Sequence, residues 1–148
     1  MAFSDTFKGS GIVAGGPFYC AQFDVAIALS SCMNKPKLIS DTELEAITKT
    51  TYVTTKTIDN PDNLKDQKVW LFSGTKDTEV YQGVMDKVQG YYKHYGADIK
   101  YVNDLAAEHA FPTDLKRNTN ACDYLGDPYI NNCNFDGVGD MWKHIIPK

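Results

Sequence analysis

Two side chains in this sequence have the types and the spacing to handle a proton together. Asp77 follows the apolar run Val69-Trp-Leu-Phe72 across a Ser-Gly break, and His109 comes after the extended segment Ala97-Asp-Ile-Lys-Tyr-Val102. A carboxylate so placed accepts the Nδ1–H of an imidazole, fixes its tautomer and stabilises the imidazolium formed when the ring takes a proton from a nucleophile. Each residue also has a plainer use. Asp77 suits the cap of a helix beginning near Tyr81, and His109 suits a turn before Ala-Phe-Pro112. The pair, acid and then base on either side of one helix, is more specific than either member.

The remaining histidines point elsewhere. His94, near a helix end, favours the negative end of that helix dipole, and His144 reads as a surface residue of a terminal helix. Neither has carboxylates or thiols at metal-ligand spacing. Asn132, Asn134, Asp136 and Gly137 imitate the opening of a calcium loop, but the twelfth position, which must be a bidentate glutamate, is Lys143. No metal or cofactor is expected.

The elements that must position Asp77 and His109 are legible around them. Residues 69–72 form a strand. Val84, Val88, Tyr91 and Tyr95 recur at helical spacing, which predicts a helix over 81–95, stopped by Gly96. Residues 100–103 form the next strand, so the order is one parallel crossover. In an open parallel sheet ligands sit beyond the carboxyl ends of the strands, and both residues fall there. Upstream, Gly-Ser-Gly-Ile-Val-Ala-Gly over 9–15 predicts a short strand packed closely on both faces. Residues 18–33 stay open between strand and helix. Asp41 is the expected N-cap of a helix over 42–55 that carries Leu44, Ile47 and Thr51 on one face. Residues 59–63 are a polar linker. From 114 onward Asn, Asp and Gly dominate until Met141 and Ile145 mark a short terminal helix.

The composition, 148 residues with 43% hydrophobic and 23% charged, is that of one globular domain over 1–148. Residues 1–113 carry the sheet and helices, and 114–148 form a loop-rich extension. A net charge of -4 without a basic face argues against nucleic acid. No apolar run approaches the roughly 20 residues needed to span a bilayer, and the first residues lack the apolar core of a signal peptide. Four cysteines fall into two near-neighbour pairs, Cys20 with Cys32 and Cys122 with Cys133, in stretches poor in regular structure. Two local disulfides or four buried thiols fit these spacings, and closing each loop contributes about 3 kcal/mol. Disulfides imply secretion, with any export signal upstream of this chain.

A nucleophile to complete the relay is not evident. A serine elbow needs glycines two before and two after the serine. Ser10 has Lys8 and Ile12 there, and Ser4, Ser30, Ser31, Ser40 and Ser73 fail as well.

Four stretches nonetheless resemble a known family: residues 7–22 (FKGSGIVAGGPFYCAQ), 70–80 (WLFSGTKDTEV), 108–113 (EHAFPT) and 121–136 (ACDYLGDPYINNCNFD). They are similar to the extracellular polyhydroxybutyrate depolymerases and their esterase relatives in the α/β-hydrolase superfamily, whose triads run Ser, Asp, His along the chain. The resemblance implies an α/β fold, specifically the C-terminal part of an α/β-hydrolase: a short parallel sheet flanked by helices, with a disulfide-stapled, loop-rich end. It implies that Asp77 is the triad acid, His109 the base, and the cysteine pairs local disulfides. The implied substrate is a polyester or a small ester. The family's G-x-S-x-G elbow precedes the region matched here, so this chain alone is expected to lack triad-dependent activity. The open sheet edge left behind is expected to favour self-association or a second chain carrying the elbow. A non-catalytic binding protein derived from the same fold is the alternative, using the aromatic C-terminal loops. Core packing is the first expectation for Trp70, Tyr129 and Trp142, with substrate contact second.

Overall fold

The computed structural model describes residues 2–117 and 119–146. The architecture is α/β. Strands β1 (Gly9–Val13), β2 (Lys68–Phe72) and β3 (Asp98–Val102) make a parallel sheet in that order. The register sets Val13 opposite Phe72 and Phe72 opposite Val102, so all three strands end level at one edge. Helices α1 (Val25–Leu29) and α2 (Asp41–Thr50) lie in the crossover between β1 and β2, and α3 (Gln82–His94) joins β2 to β3. A second, smaller sheet is built from β4 (Phe111–Thr113), β5 (Asn120–Ala121) and β6 (Ile130–Asn132), with β6 central and every pairing parallel. Helix α4 (Gly137–Ile145) follows.

The core forms on both sides of β2, because alternate side chains of a strand face opposite ways. Val69 and Leu71 point into a cluster with Val84, Met85, Val88 and Tyr91 of α3 and with Leu44 of α2. Trp70 and Phe72 point the other way, toward Met141 and Ile145 of α4 and the Cys122–Cys133 bridge. Trp70 and Leu71 are both 0% exposed. A strand covered on both faces reads as a continuous apolar run, which is why this one was the clearest in the sequence. Two polar contacts fix the layers. The hydroxyls of Thr48 and Tyr91 share a buried hydrogen bond of 2.7 Å, joining α2 to α3. Trp70 Nε1–H donates to Asp140 Oδ2 at 2.8 Å, holding α4 on the sheet.

Several expectations shift in detail. The cap of α2 is Ser40, whose hydroxyl accepts from Glu43 N–H at 3.3 Å, while Asp41 is the first helical residue. Regular winding stops at Thr50; residues Thr51–Thr55 are π-wound and Lys56 turns left-handed at φ 53°. Thr51 and Thr55 hydroxyls donate to the carbonyls four residues back, the habit that loosens threonine-rich helices. Residues 25–29 resolve as a short helix capped by Asp24, and 61–64 as a 3-10 turn rather than a bare linker. Strand β1 is packed on both faces, with Gly9 and Gly11 close against Ile145 and Met141 of α4 and Ile12 against the α3 cluster. It is yet only partly buried, because its outer edge has no strand neighbour among the described residues. Helix α3 is closed by Gly96 at φ 75°. Both cysteine pairs are bonded, Cys20 to Cys32 and Cys122 to Cys133. Among the described residues no helix is long and apolar enough to cross a membrane.

Candidate active site

The carboxyl edge of the sheet carries two loops that run along one another. The first leaves β2 at Ser73 and bears Asp77; the second leaves β3 and bears His109. Backbone bonds stitch them together: Ser73 N–H to Val102 O at 3.1 Å, Thr75 N–H to Leu105 O at 2.8 Å and Lys76 N–H to Ala107 O at 3.1 Å. Gly74 makes this approach possible, because a Cβ there would collide with the Ala107 carbonyl.

The Asp77 side chain is 1% exposed. Its Oδ1 accepts from Glu79 N–H at 3.0 Å and Val80 N–H at 2.7 Å, which folds the acid loop around the carboxylate. Its Oδ2 lies 3.0 Å from His109 Nδ1. A carboxylate can only accept, so Nδ1 carries the proton and Nε2 presents a lone pair. Among the described residues nothing is hydrogen-bonded to Nε2. Asp77 does not cap α3, whose N-cap Tyr81 makes no side-chain bond. The carboxylate instead joins its own loop to the imidazole.

His109 lines an open cleft of about 460 Å³. Val13 and Ala14 from the end of β1, Met33, and Leu125 and Tyr129 from the C-terminal segment form its walls, with Glu79 at one side. The Tyr129 ring meets His109 edge-on, with centroids 6.2 Å apart. Tyr129 and Trp142 are about half exposed, so the core-packing expectation fits Trp70 and fails for these two. The C-terminal segment thus supplies a site wall that no periodicity announced. The signal available was its aromatics among turn residues, next to a staple. The neighbouring Glu108 was likewise passed over: it is buried, and its carboxylate accepts from Thr78 and from the His109 backbone. Burial alone would raise its pKa, but the Thr78 hydroxyl and these N–H donors outweigh that and hold it below the usual glutamate range.

The other sequence candidates lie apart from this cleft. His94 pairs with Glu45, Nδ1 to Oε1, at 3.1 Å, and His144 Nε2 lies 3.0 Å from the Asp98 carbonyl, which only a ring N–H can satisfy. The oxygens of the calcium-like stretch serve the backbone: Asn132 accepts from Asn134 N–H, and Asp136 caps α4 through Gly139 N–H. Among the described residues no group of three or more His, Cys, Asp or Glu is gathered for a metal.

No protein-family model matches the chain. It is 45% identical over 148 residues to a poly(3-hydroxybutyrate) depolymerase of Delftia acidovorans, across 98% of this chain and 29% of that protein. It is 34% identical to a polyhydroxybutyrate depolymerase of Talaromyces funiculosus, across 98% of this chain and 42% of that protein. Among solved structures, a PHB depolymerase serine-to-alanine variant complexed with an R3HB trimer superposes with a TM-score of 0.83 at 30% identity, over 98% of this chain and 45% of that one. The PHB depolymerase from Penicillium funiculosum superposes at 0.82 with the same coverage. The chain therefore spans less than half the length of these relatives.

Proposed function

The chain is a homologue of part of the polyhydroxybutyrate depolymerases, and from that premise we propose that it carries the acid and the base of a serine-type carboxylic-ester hydrolase. The observation that supports this most directly is the Asp77 carboxylate 3.0 Å from His109 Nδ1, with the opposite ring nitrogen beside a cleft at the carboxyl edge of a parallel sheet. In the assembled site His109 Nε2 takes the proton of a serine hydroxyl as its oxygen bonds to the ester carbonyl carbon. Asp77 steadies the imidazolium, which returns the proton to the departing alkoxide as the carbon–oxygen bond breaks. A water then adds to the acyl carbon, His109 accepts its proton, and the serine leaves with that proton restored. Apolar walls and one tyrosine suit a short aliphatic acyl unit, so the substrate is a poly(3-hydroxyalkanoate) or a small ester. With two disulfides, the working compartment is oxidising, in keeping with secretion.

No serine in this chain has the elbow pattern, and the nucleophile comes from outside these residues. The test is a chimera in which this chain replaces the aligned segment of the Talaromyces relative. It should hydrolyse p-nitrophenyl butyrate, and Asp77→Asn or His109→Ala should lower kcat by about 10³–10⁴. A folded, active chimera indifferent to both changes overturns the roles. For the isolated chain the expected result is one background rate in wild type and both variants. Activity there that vanishes in both variants would place the nucleophile within these residues.

A second reading, binding without chemistry, draws on the half-exposed Tyr124, Tyr129 and Trp142. It predicts that the chain sediments with polyester granules whether or not His109 is present. The outer edge of β1 is where a second copy or a complementing chain would pair. Concentration-dependent mass in sedimentation would reveal the first, and co-purification the second.

A further inference from the structure

We propose that Glu108 is a positioning residue, a carboxylate that clamps the Asp77 loop to the His109 loop and thereby sets the bond between them. This inference rests on the acid–base reading of that pair. Thr78 is the chain neighbour of Asp77, and Glu108 is the chain neighbour of His109. The Glu108 carboxylate accepts the Thr78 N–H, at 3.2 Å from each oxygen, and the Thr78 hydroxyl as well. It also accepts the N–H of His109 at 2.5 Å. One side chain thus holds the residue next to Asp77 and the backbone of His109 itself. On its other side the Glu108 N–H donates to Cys122 O at 3.0 Å, and Cys122 is bonded to Cys133. The clamp is therefore anchored to a stapled segment.

The other ties between the two loops cannot do this. The backbone bonds end at Lys76 and Ala107, short of the reacting residues. Lys76 Nζ pairs with Asp123 Oδ2 at 3.1 Å, but Asp123 belongs to the stapled segment rather than to the His109 loop, and both side chains are more than half exposed, where such pairs constrain little. Asp77 is fixed to its own loop through Glu79 and Val80 N–H. Its carboxylate is the one hydrogen-bond partner of the His109 ring among the described residues. The distance between them consequently depends on how the loops sit beyond Ala107, and Glu108 bridges that interval. A buried carboxylate with three donors on it is worth keeping only if its geometry is kept. Removing the charge leaves backbone donors facing an amide that offers N–H in place of one acceptor oxygen.

The test uses the isolated chain, labelled with ¹⁵N at histidine and backbone amides, and follows the His109 Nδ1–H resonance by NMR. In wild type the proton is held by Asp77 and exchanges slowly with water. Glu108→Gln should speed that exchange about tenfold or more, while amides of Leu71 and Tyr101 in the sheet keep their protection. Thr78→Val should act in the same direction, and Thr78→Ser, which restores the hydroxyl, should recover the wild-type rate. A Glu108→Gln chain that is folded and leaves the resonance unchanged overturns the proposal. If that variant does not fold, equal behaviour of Thr78→Val and Thr78→Ser overturns it instead. Asp77→Asn separates the two readings: a resonance that survives this change refutes the Asp77–His109 pairing itself. One lost in Asp77→Asn but kept in Glu108→Gln refutes only the clamp.

Discussion

Strand β2 is buried on both faces by apolar side chains from α3 on one side and α4 on the other, whereas residues 119–136 contain only the short strands β5 and β6. That second region is held by polar side chains and a staple. Asn131, 0% exposed, donates from Nδ2 to Cys122 O at 3.1 Å and Tyr124 O at 2.8 Å, and Asn120 Nδ2 reaches Gly126 O at 3.0 Å. The Cys122–Cys133 bridge closes the segment on itself. The contrast separates two tasks. Non-directional burial sets where the sheet edge lies, and with it Asp77. Directional bonds shape the irregular wall that carries Tyr129 beside His109. A region organised by apolar packing should fail as a whole, and one organised by a few bonds should fail locally.

The largest effect should come from the first region. Leu71→Ala removes a fully buried side chain between two packed layers and should cost about 4 kcal/mol in urea unfolding, with every probe moving together. Next comes the staple: the double change Cys122→Ser, Cys133→Ser should cost about 3 kcal/mol by loop closure. Hydrogen exchange should rise in β4 and β6 while the amides of β2 and β3 stay protected. Sheet amides that open in step with β6 would show the two regions to be one cooperative unit and would dissolve the contrast. Asn131→Ala should cost about 2 kcal/mol, because it strips donors from two carbonyls without repacking a core. Its loss should show first as a changed Tyr129 environment in fluorescence or NMR.

The same contrast accounts for what the sequence disclosed. The run 69–72 and the helical recurrence of Val84, Val88 and Tyr91 were legible because both faces of β2 and one face of α3 are apolar, which periodicity records directly. The order of Asp77 and His109 was legible because strand ends punctuate the chain with Ser-Gly and Pro. The Tyr129 wall was not, since its position depends on Asn131 bonding to two carbonyls seven and nine residues away, and no pattern encodes that. Glu108 escaped for a related reason: its partner Thr78 is 30 residues distant and meets it only after the crossover folds. The cap of α2 was misplaced by one residue because Ser40 and Asp41 are both good caps. The backbone chose Ser40, which is extended at φ -90° and ψ 112°.

The smallest effect, and the one that probes a directional bond inside the apolar region, belongs to Asp140. Its carboxylate accepts from Trp70 Nε1–H at 2.8 Å and pairs with Lys100 Nζ at 2.5 Å, so it fastens α4 to β2 and β3 together. Burial alone would raise its pKa, but Lys100 and the indole N–H outweigh that and hold it below the usual aspartate range. The sign follows directly. A carboxyl group whose folded-state pKa is lowered adds stability that is complete above the unfolded value. That contribution fades as pH falls from about 4 through the lower folded value. Asp140→Asn should therefore lower the urea midpoint at pH 7, and its difference from wild type should shrink below about pH 4. The loss should be smaller than that of Asn131→Ala, since Lys100 is 43% exposed at its side chain and water screens the pair. A difference between wild type and Asp140→Asn that stays constant from pH 7 into the acid range would mean that the indole bond, and not the charge, seats the helix. Helix α4 would then be held on the sheet by the same kind of directional neutral bond that shapes the Tyr129 wall.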